Sequence, residues 1–243
     1  MTEAAWRPVA RSRAYELVVD QIEEQILAGS LRVGERLPGE RELAARLEVS
    51  RAAVREAIRT LEAQGVVRSS VGSGPDAGTV VSAVPSEALN RLLRLHVALA
   101  NFPMRDVVEA RVMLERFSAT LAAAHADEAR LAHLLALLEA MDDTGIDRER
   151  FNDLDTDFHI AIAEAGGNRL VADMTIAIRD STRRPILRGL EGLGDSWTEV
   201  CADLRHEHRR LYDAILAGDA GAAADEVETH IRGTSRWLPG ALD

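Results

Sequence analysis

Apolar residues recur with helical spacing along most of this 243-residue chain. Over 13–28, Val18, Ile22 and Ile26 fall at i, i+4 and i+8, and Gly29 supplies a stop. Leu37-Pro38-Gly39 opens a short second helix over 40–47, which Val49-Ser50 breaks. Ser50 is a good N-cap for a third helix over 51–64, ended by Gly65. The pattern then changes. Residues 66–70 and 79–82 read as short strands joined by a Gly-rich stretch, 71–78, as in a hairpin. Three helices followed by a β-hairpin predict a winged helix-turn-helix over 1–83.

A linker is expected at 83–86, around Pro85. Everything beyond it has helical period, in seven segments: 87–100, 103–125, 127–142, 147–165, 168–189, 196–217 and 219–237. Breaks fall at Asn101-Phe102-Pro103, around Gly145, at Gly166-Gly167, between Gly189 and Gly194, and at Gly218. No strand pattern interrupts them. The predicted fold is mainly α, with a second, all-helical domain over 84–243.

Composition narrows the function classes. Ala and Leu dominate and aromatics are only 4%, which favours close-packed helices over sheet. No apolar run approaches the roughly 18 residues that span a bilayer, so no membrane partner is expected. One cysteine, Cys201, excludes an internal disulfide framework and suits a reducing cytoplasm. The net charge of −11 argues at first against a DNA partner, but it is unevenly spread. Residues 1–83 hold 11 Arg against 12 Asp plus Glu, a net of −1, which leaves −10 for the remainder. Attraction to phosphate must therefore come from a local patch.

The third helix carries such a patch. Val54, Ile58 and Leu61 form an apolar stripe, and Arg51, Arg55 and Arg59 form a second stripe beside it. Arginines there can pair bidentately with guanine or hold phosphate in a major groove. They can equally be solvated, or paired with Glu48, Glu56 and Glu62. The wider pattern favours DNA. Leu37-Pro38-Gly39-Glu40-Arg41-Glu42-Leu43-Ala44, Val49-Ser50-Arg51, Val54-Arg55-Glu56-Ala57 and Leu61-Glu62-Ala63-Gln64-Gly65-Val66-Val67 resemble the DNA-binding domain of the GntR family over about 11–82. The resemblance implies DNA-contact positions at Arg41, Ser50, Arg51, Ala52, Ala53 and Arg55, and a wing beginning at Gly72 and Gly74. Two departures stand out: Gly39 replaces the usual Ser N-cap, and Pro75-Asp76-Ala77-Gly78 is inserted before Thr79.

In the second domain Asp155 and His159 are i, i+4 and share a helix face, whereas Asp157 points away. His208 and His230 each lie eleven residues from Asp219, so an antiparallel hairpin turning there sets both imidazoles at one level. Three imidazoles and a carboxylate suit one borderline divalent ion per chain, Zn²⁺, Ni²⁺ or Mn²⁺. Taken singly, each His is more simply a surface or core residue, as expected for His96, His125, His133 and His206. On the helix from 103, Val107, Ala110, Leu114, Phe117 and Leu121 are the expected buried face with Arg111 at its edge, where a guanidinium wants an anion. Glu115, at i+4, could be that anion. Asn168 reads as a helix N-cap.

Leu154-Asp155-x-x-Phe158-His159, Gly167-Asn168, Glu207-His208-Arg209, Ala217-Gly218-Asp219 and His230 resemble the FCD ligand-binding domain of the FadR subfamily, in its seven-helix form. The resemblance implies that these Asp and His residues hold a metal, and that Arg111 meets the carboxylate of a small organic-acid or sugar-acid effector. It also implies a homodimeric repressor on a palindromic operator. The competing reading is a helical metalloenzyme with a His₃Asp site, but the chain has no HExxH, no bridging carboxylate pair and no nucleophile motif.

Overall fold

A computed structural model describes residues 13–70, 78–82, 86–99 and 101–238. The chain divides into two compact units, one closing at Ala88 and the other opening at Leu89. In the first, α1 (Arg13–Leu27), α2 (Glu40–Arg46) and α3 (Arg51–Ala63) precede β1 (Val67–Ser70) and β2 (Gly78–Val81). The strands pair antiparallel, with Val67 opposite Val81. One core joins Val18, Val19 and Ile22 of α1, Leu43 and Ala44 of α2, and Val54, Ile58 and Leu61 of α3.

Local chemistry sets the reading helix in place. Ser50 Oγ accepts the Ala53 N–H at 3.2 Å, the expected N-cap, while Gly39 gives α2 no side-chain cap. Between α2 and α3, Glu48 holds a left-handed backbone at φ 54°, a conformation that costs a side-chain-bearing residue roughly 1 kcal/mol or more. That strain is carried by the turn that aims α3. The expected wing glycines Gly72 and Gly74, the insertion at 75–77 and the linker at 83–85 lie outside the described residues.

The second unit contains α4 (Ser86–Ala98, whose first residues precede it), α5 (Met104–His125), α6 (Glu128–Met141), α7 (Arg148–Ala165), α8 (Arg169–Glu191), α9 (Trp197–Leu216) and α10 (Ala220–Ser235). These seven helices match the seven periodic segments, with a 3₁₀ turn, Gly194–Ser196, before α9. Asp127, Asp147, Asn168 and Asp219 each cap the helix that follows, accepting an N–H three residues on. Leu134, Phe151, Phe158, Leu211 and Ile231 sit in the common core.

The buried face of α5 differs from expectation. Val107 and Leu114 are buried as expected, but the face also runs through Val108, Arg111, Val112, Glu115, Ala119 and Ala122, and Phe117 is 48% exposed. Arg111 is at the centre of this face rather than its edge, because Glu115 and a third charged residue, Arg179, accompany it inward. The end of α7 packs tightly on α5: a Cβ added at Gly166 would stand 2.7 Å from Cβ of Leu121, so only glycine fits. Among the described residues no helix is long and apolar enough to cross a membrane.

Candidate metal centre and DNA-reading helix

Three helices each present part of one buried cluster. Asp155 and His159 come from α7, His208 from α9 and His230 from α10, and all four are buried. The expected level pairing of His208 and His230 holds, with ring centroids 4.5 Å apart. Asp157 is exposed on the far side of α7. His125, His133 and His206 are exposed and His96 is half-buried, so none of these four joins the cluster.

The three imidazoles turn Nε2 toward one oxygen. Oδ1 of Asp155 lies 3.0 Å from Nε2 of His208, 3.4 Å from that of His230 and 3.9 Å from that of His159. At bond lengths of about 2.1 Å, ligands at right angles on an ion stand about 3.0 Å apart, and tetrahedral ones about 3.4 Å. The whole set spans up to 4.8 Å, and opposite ligands on one ion span about 4.2 Å, so the rings would close in slightly. None of these Nε2 atoms makes a hydrogen bond; His208 is within range of Oδ1 but off the bonding line. Buried polar atoms left without partners cost about 1–3 kcal/mol each. Three of them aimed at a carboxylate oxygen fit a divalent cation.

Two of the other ring nitrogens explain the orientation of their rings, while His208 Nδ1 has no hydrogen-bond partner among the described residues. His159 Nδ1 lies 2.7 Å from Oε2 of Glu115, and His230 Nδ1 lies 2.9 Å from Oε2 of Glu207. A carboxylate accepting the Nδ1 proton fixes the tautomer that leaves Nε2 free as a ligand. Glu115 is itself held by Arg111 Nε at 2.7 Å and Arg179 Nε at 2.8 Å, and Arg179 Nη1 reaches Oδ2 of Asp155 at 2.8 Å. Sequence reasoning missed Glu115 as a supporting carboxylate, quoted Glu207 within a motif without giving it a role, and missed Arg179 altogether. Arg179 could have been found only as a charge on the apolar stripe of α8.

Charge explains the titration of this network. Burial alone would raise the Glu115 and Asp155 carboxyls, but facing guanidinium groups, Arg179 foremost, hold both well below the usual range. Burial pushes His159 down to about 3 and lowers His208 as well. His230 is also disfavoured by burial, yet Asp155 and Glu207 outweigh that and raise it. Apart from the imidazoles, Arg111 and Arg179 cancel Glu115 and Asp155.

A cavity of about 10 Å³, enough for about one water, adjoins the cluster. Three orphaned polar groups belong to residues lining it: Nη1 of Arg111, Oδ1 of Asn152 and Nε2 of His230. Asp155 and Thr234 also line it, and the rest of its wall is apolar, including Phe151 and Leu190.

In the first unit, Arg51, Arg55 and Arg59 are exposed beside the buried Val54-Ile58-Leu61 stripe, and Arg41, Ser50 and Ala52 are exposed too. Ala53 is half-buried. Arg55 donates to Glu40 of α2 at 2.9 Å, and Arg59 pairs loosely with Glu56 at 3.8 Å. Gly72 lies outside the described residues.

Similarity to known proteins accounts for both halves. The bacterial regulatory proteins of the gntR family match residues 14–75, and the FCD domain matches residues 106–233. The HTH-type transcriptional repressor NanR of Salmonella schwarzengrund (strain CVM19633) is 30% identical over 235 residues, covering 94% of this chain and 86% of that protein. The chain belongs to the GntR family of bacterial regulatory proteins. The NanR of Citrobacter rodentium (strain ICC168) is 29% identical over 236 residues, with the same coverage of 94% and 86%. The solved structure of Streptococcus agalactiae GntR aligns with a TM-score of 0.63 at 27% identity, over 91% of this chain and 99% of that one. The gntR match contains α1 to α3 with Arg41 to Arg55, and the FCD match contains the whole His₃Asp cluster with Arg111. This GntR-family protein is thus a DNA-binding transcription regulator with an FCD domain, not a metalloenzyme.

Proposed function

We propose that this GntR-family regulator is a repressor whose operator affinity is set by a small carboxylate effector bound at a divalent metal in the FCD domain. The observation that carries the reading is the convergence of three unpartnered Nε2 atoms on Oδ1 of Asp155. Asp155, His159, His208 and His230 would hold the ion, and the ion would act as a Lewis acid toward the effector's oxygens. With Arg111 and Arg179 balanced by Glu115 and Asp155, the ion gives the site a charge near +2, lessened by the half-buried Glu207. An acid neutralises that charge and a neutral sugar does not. Arg111 Nη1 offers the carboxylate a donor, and Asn152 Oδ1 offers a hydroxyl an acceptor, which favours a hydroxy or sugar acid.

On DNA, Arg41, Ser50, Arg51, Ala52, Ala53, Arg55 and the wing at Gly72 supply the contacts. Two copies of the chain set two such readers on a palindrome about one duplex turn apart. The repressor names of the NanR relatives favour repression relieved by the effector. A protein that reads operators in this way works in the cytoplasm. The 10 Å³ cavity is far smaller than any such acid, so effector entry must move the surrounding helices, which supplies the differential contact that a switch requires.

A thermal-shift screen of carboxylic acids on Zn²⁺-, Ni²⁺- and Mn²⁺-loaded protein tests this, since a ligand of the folded state raises its melting point. The best acid should then bind Arg111→Ala more weakly by about 1.5–3 kcal/mol in calorimetric titration, the range for hydrogen bonds to charged groups. Equal affinities would confine Arg111 to its Glu115 pair. A screen with no hit on loaded protein would remove the carboxylate effector.

A further inference from the structure

A second cavity lies away from the His₃Asp cluster. It is a groove of about 660 Å³ between α4 and α8, closed at one end by Met104 and Trp237. That volume falls within the roughly 300–1,000 Å³ of small-molecule sites. Its α4 wall is apolar beside Arg94, with Leu95, Val97 and Ala98. Its α8 wall is cationic: Arg184 and Arg188, one helical turn apart, are exposed and form no ion pair among the described residues. Arg94 adds a third guanidinium from α4. One acid, Asp180, opposes them; it accepts from Asn90 Nδ2 at 3.3 Å, and burial raises its carboxyl above the usual range although Arg183 and Arg94 act against that. The lining therefore carries a net +2.

Two backbone features build the groove. Gly189 allows the chain after α10 to lie directly on α8: a Cβ there would be 2.8 Å from Cβ of Trp237 and 3.0 Å from its carbonyl oxygen. Pro185 has no N–H to give the Ser181 carbonyl four residues earlier, so α8 lacks that backbone hydrogen bond where both residues line the groove. Guanidinium donors of Arg184 and Arg188 opposite the hydrocarbon of Leu95, Val97 and Ala98 select for a molecule with an anionic end and an apolar body.

We propose that the α4–α8 groove is a second ligand site, distinct from the metal-side cavity, for an amphipathic organic anion. Its head lies on Arg184 and Arg188, and its body lies along Leu95, Ala98 and Trp237. Trp237 also lines the metal-side cavity, so the two sites share one wall residue, and α4 is the first helix after the DNA-reading unit in chain order. A ligand that clamps α4 to α8 is thereby placed to bias both sensing and reading.

Titration of the full-length protein with 1-anilinonaphthalene-8-sulfonate tests the site, because this apolar anion brightens on entering an apolar groove. The neutral N-phenyl-1-naphthylamine serves as control. Saturable binding near one anion per chain is expected. It should be weakened about tenfold or more in Arg184→Gln/Arg188→Gln, retained largely in Arg184→Lys/Arg188→Lys, and blocked in Ala98→Trp, which fills the apolar half. The neutral probe should bind the Gln pair as it binds wild type, which would show the groove intact. Absence of saturable binding to wild type, or equal affinity in the Gln pair and in Ala98→Trp, would overturn the proposal. So would a Gln pair that changes only the sedimentation coefficient, since the groove would then be covered by a second copy of the chain.

Discussion

Replacing Arg179 by Met should unfold the FCD domain more readily, and a divalent ion should repair more of the damage in the variant than in wild type. The guanidinium is 1% exposed and donates to Glu115 and Asp155 together, tying α8 to α5 and α7. Methionine keeps much of the length and none of the charge. Two buried carboxylates then face one remaining guanidinium, Arg111, which reaches only Glu115. Breaking a buried pair from one side costs about 3–5 kcal/mol. Proton uptake sets an independent bound: neutralising one carboxyl of ordinary pKa at pH 7 costs roughly 3–4 kcal/mol at about 1.4 kcal/mol per pH unit. The two figures agree. For a domain of this size about 1 kcal/mol moves the melting point by roughly 2–4 °C, so at about 3–4 kcal/mol a fall of about 6–16 °C is expected. Melting with and without chelator, followed through Trp197 and Trp237, measures it. An ion beside Asp155 restores part of the lost positive charge, so added Zn²⁺ should raise the variant's melting point by more degrees than wild type's. A variant melting within about 2 °C of wild type, or equal metal stabilisation in the two proteins, would refute the assignment of Arg179 as the electrostatic keystone of the cluster.

Other outcomes follow from the same geometry. Arg51→Ala should cost about 1–3 kcal/mol in operator binding, measured by mobility shift, with the fold intact. Glu40→Gln should tighten operator binding up to about fivefold, because Arg55 must leave an exposed pair worth about 0.2–1 kcal/mol to meet DNA; weaker binding would mean that Glu40 orients Arg55 instead. Acid should destabilise chelated protein. The His159 value near 3 lies below the 6.5 of an ordinary imidazole, so the unfolded chain takes the proton first, and stability falls as pH drops from about 6.5 toward 3, by up to roughly 4–5 kcal/mol. Lowered Glu115 and Asp155 act in the same direction at the acid end of that window. His230, raised, opposes them: its contribution is present at low pH and lost as pH rises through its elevated value. Urea titrations from pH 7.5 to 4 check the net fall, and a flat profile would contradict it.

Much of this molecule was legible because its helices announce both ends. Ser50, Asp127, Asp147, Asn168 and Asp219 are acceptors at the positions where caps form, and the cluster geometry followed from i, i+4 spacing on α7 and equal spacing about Asp219. The α5 face was read only in part, for a physical reason. Hydrophobic periodicity selects Phe117 as inward and treats Arg111 and Glu115 as boundary residues, whereas an Arg-Glu-Arg set paired through Glu115 can be buried at the cost of an aromatic left outside. The role of Glu207 was equally illegible, since it rests on the ring nitrogen of His230, 23 positions away on another helix. The groove depends on a glycine and a proline within α8, which sequence periodicity reads only as interruptions.

The central claim, that Asp155, His159, His208 and His230 form a metal centre, is tested most directly by elemental analysis of protein purified without a His-tag or chelator. The account predicts about one Zn²⁺, Ni²⁺ or Mn²⁺ per chain, and a small fraction of that in His208→Ala, because loss of one imidazole from a buried set weakens retention. No metal in the wild-type protein, together with no rise in melting point on adding any of the three ions, would contradict it.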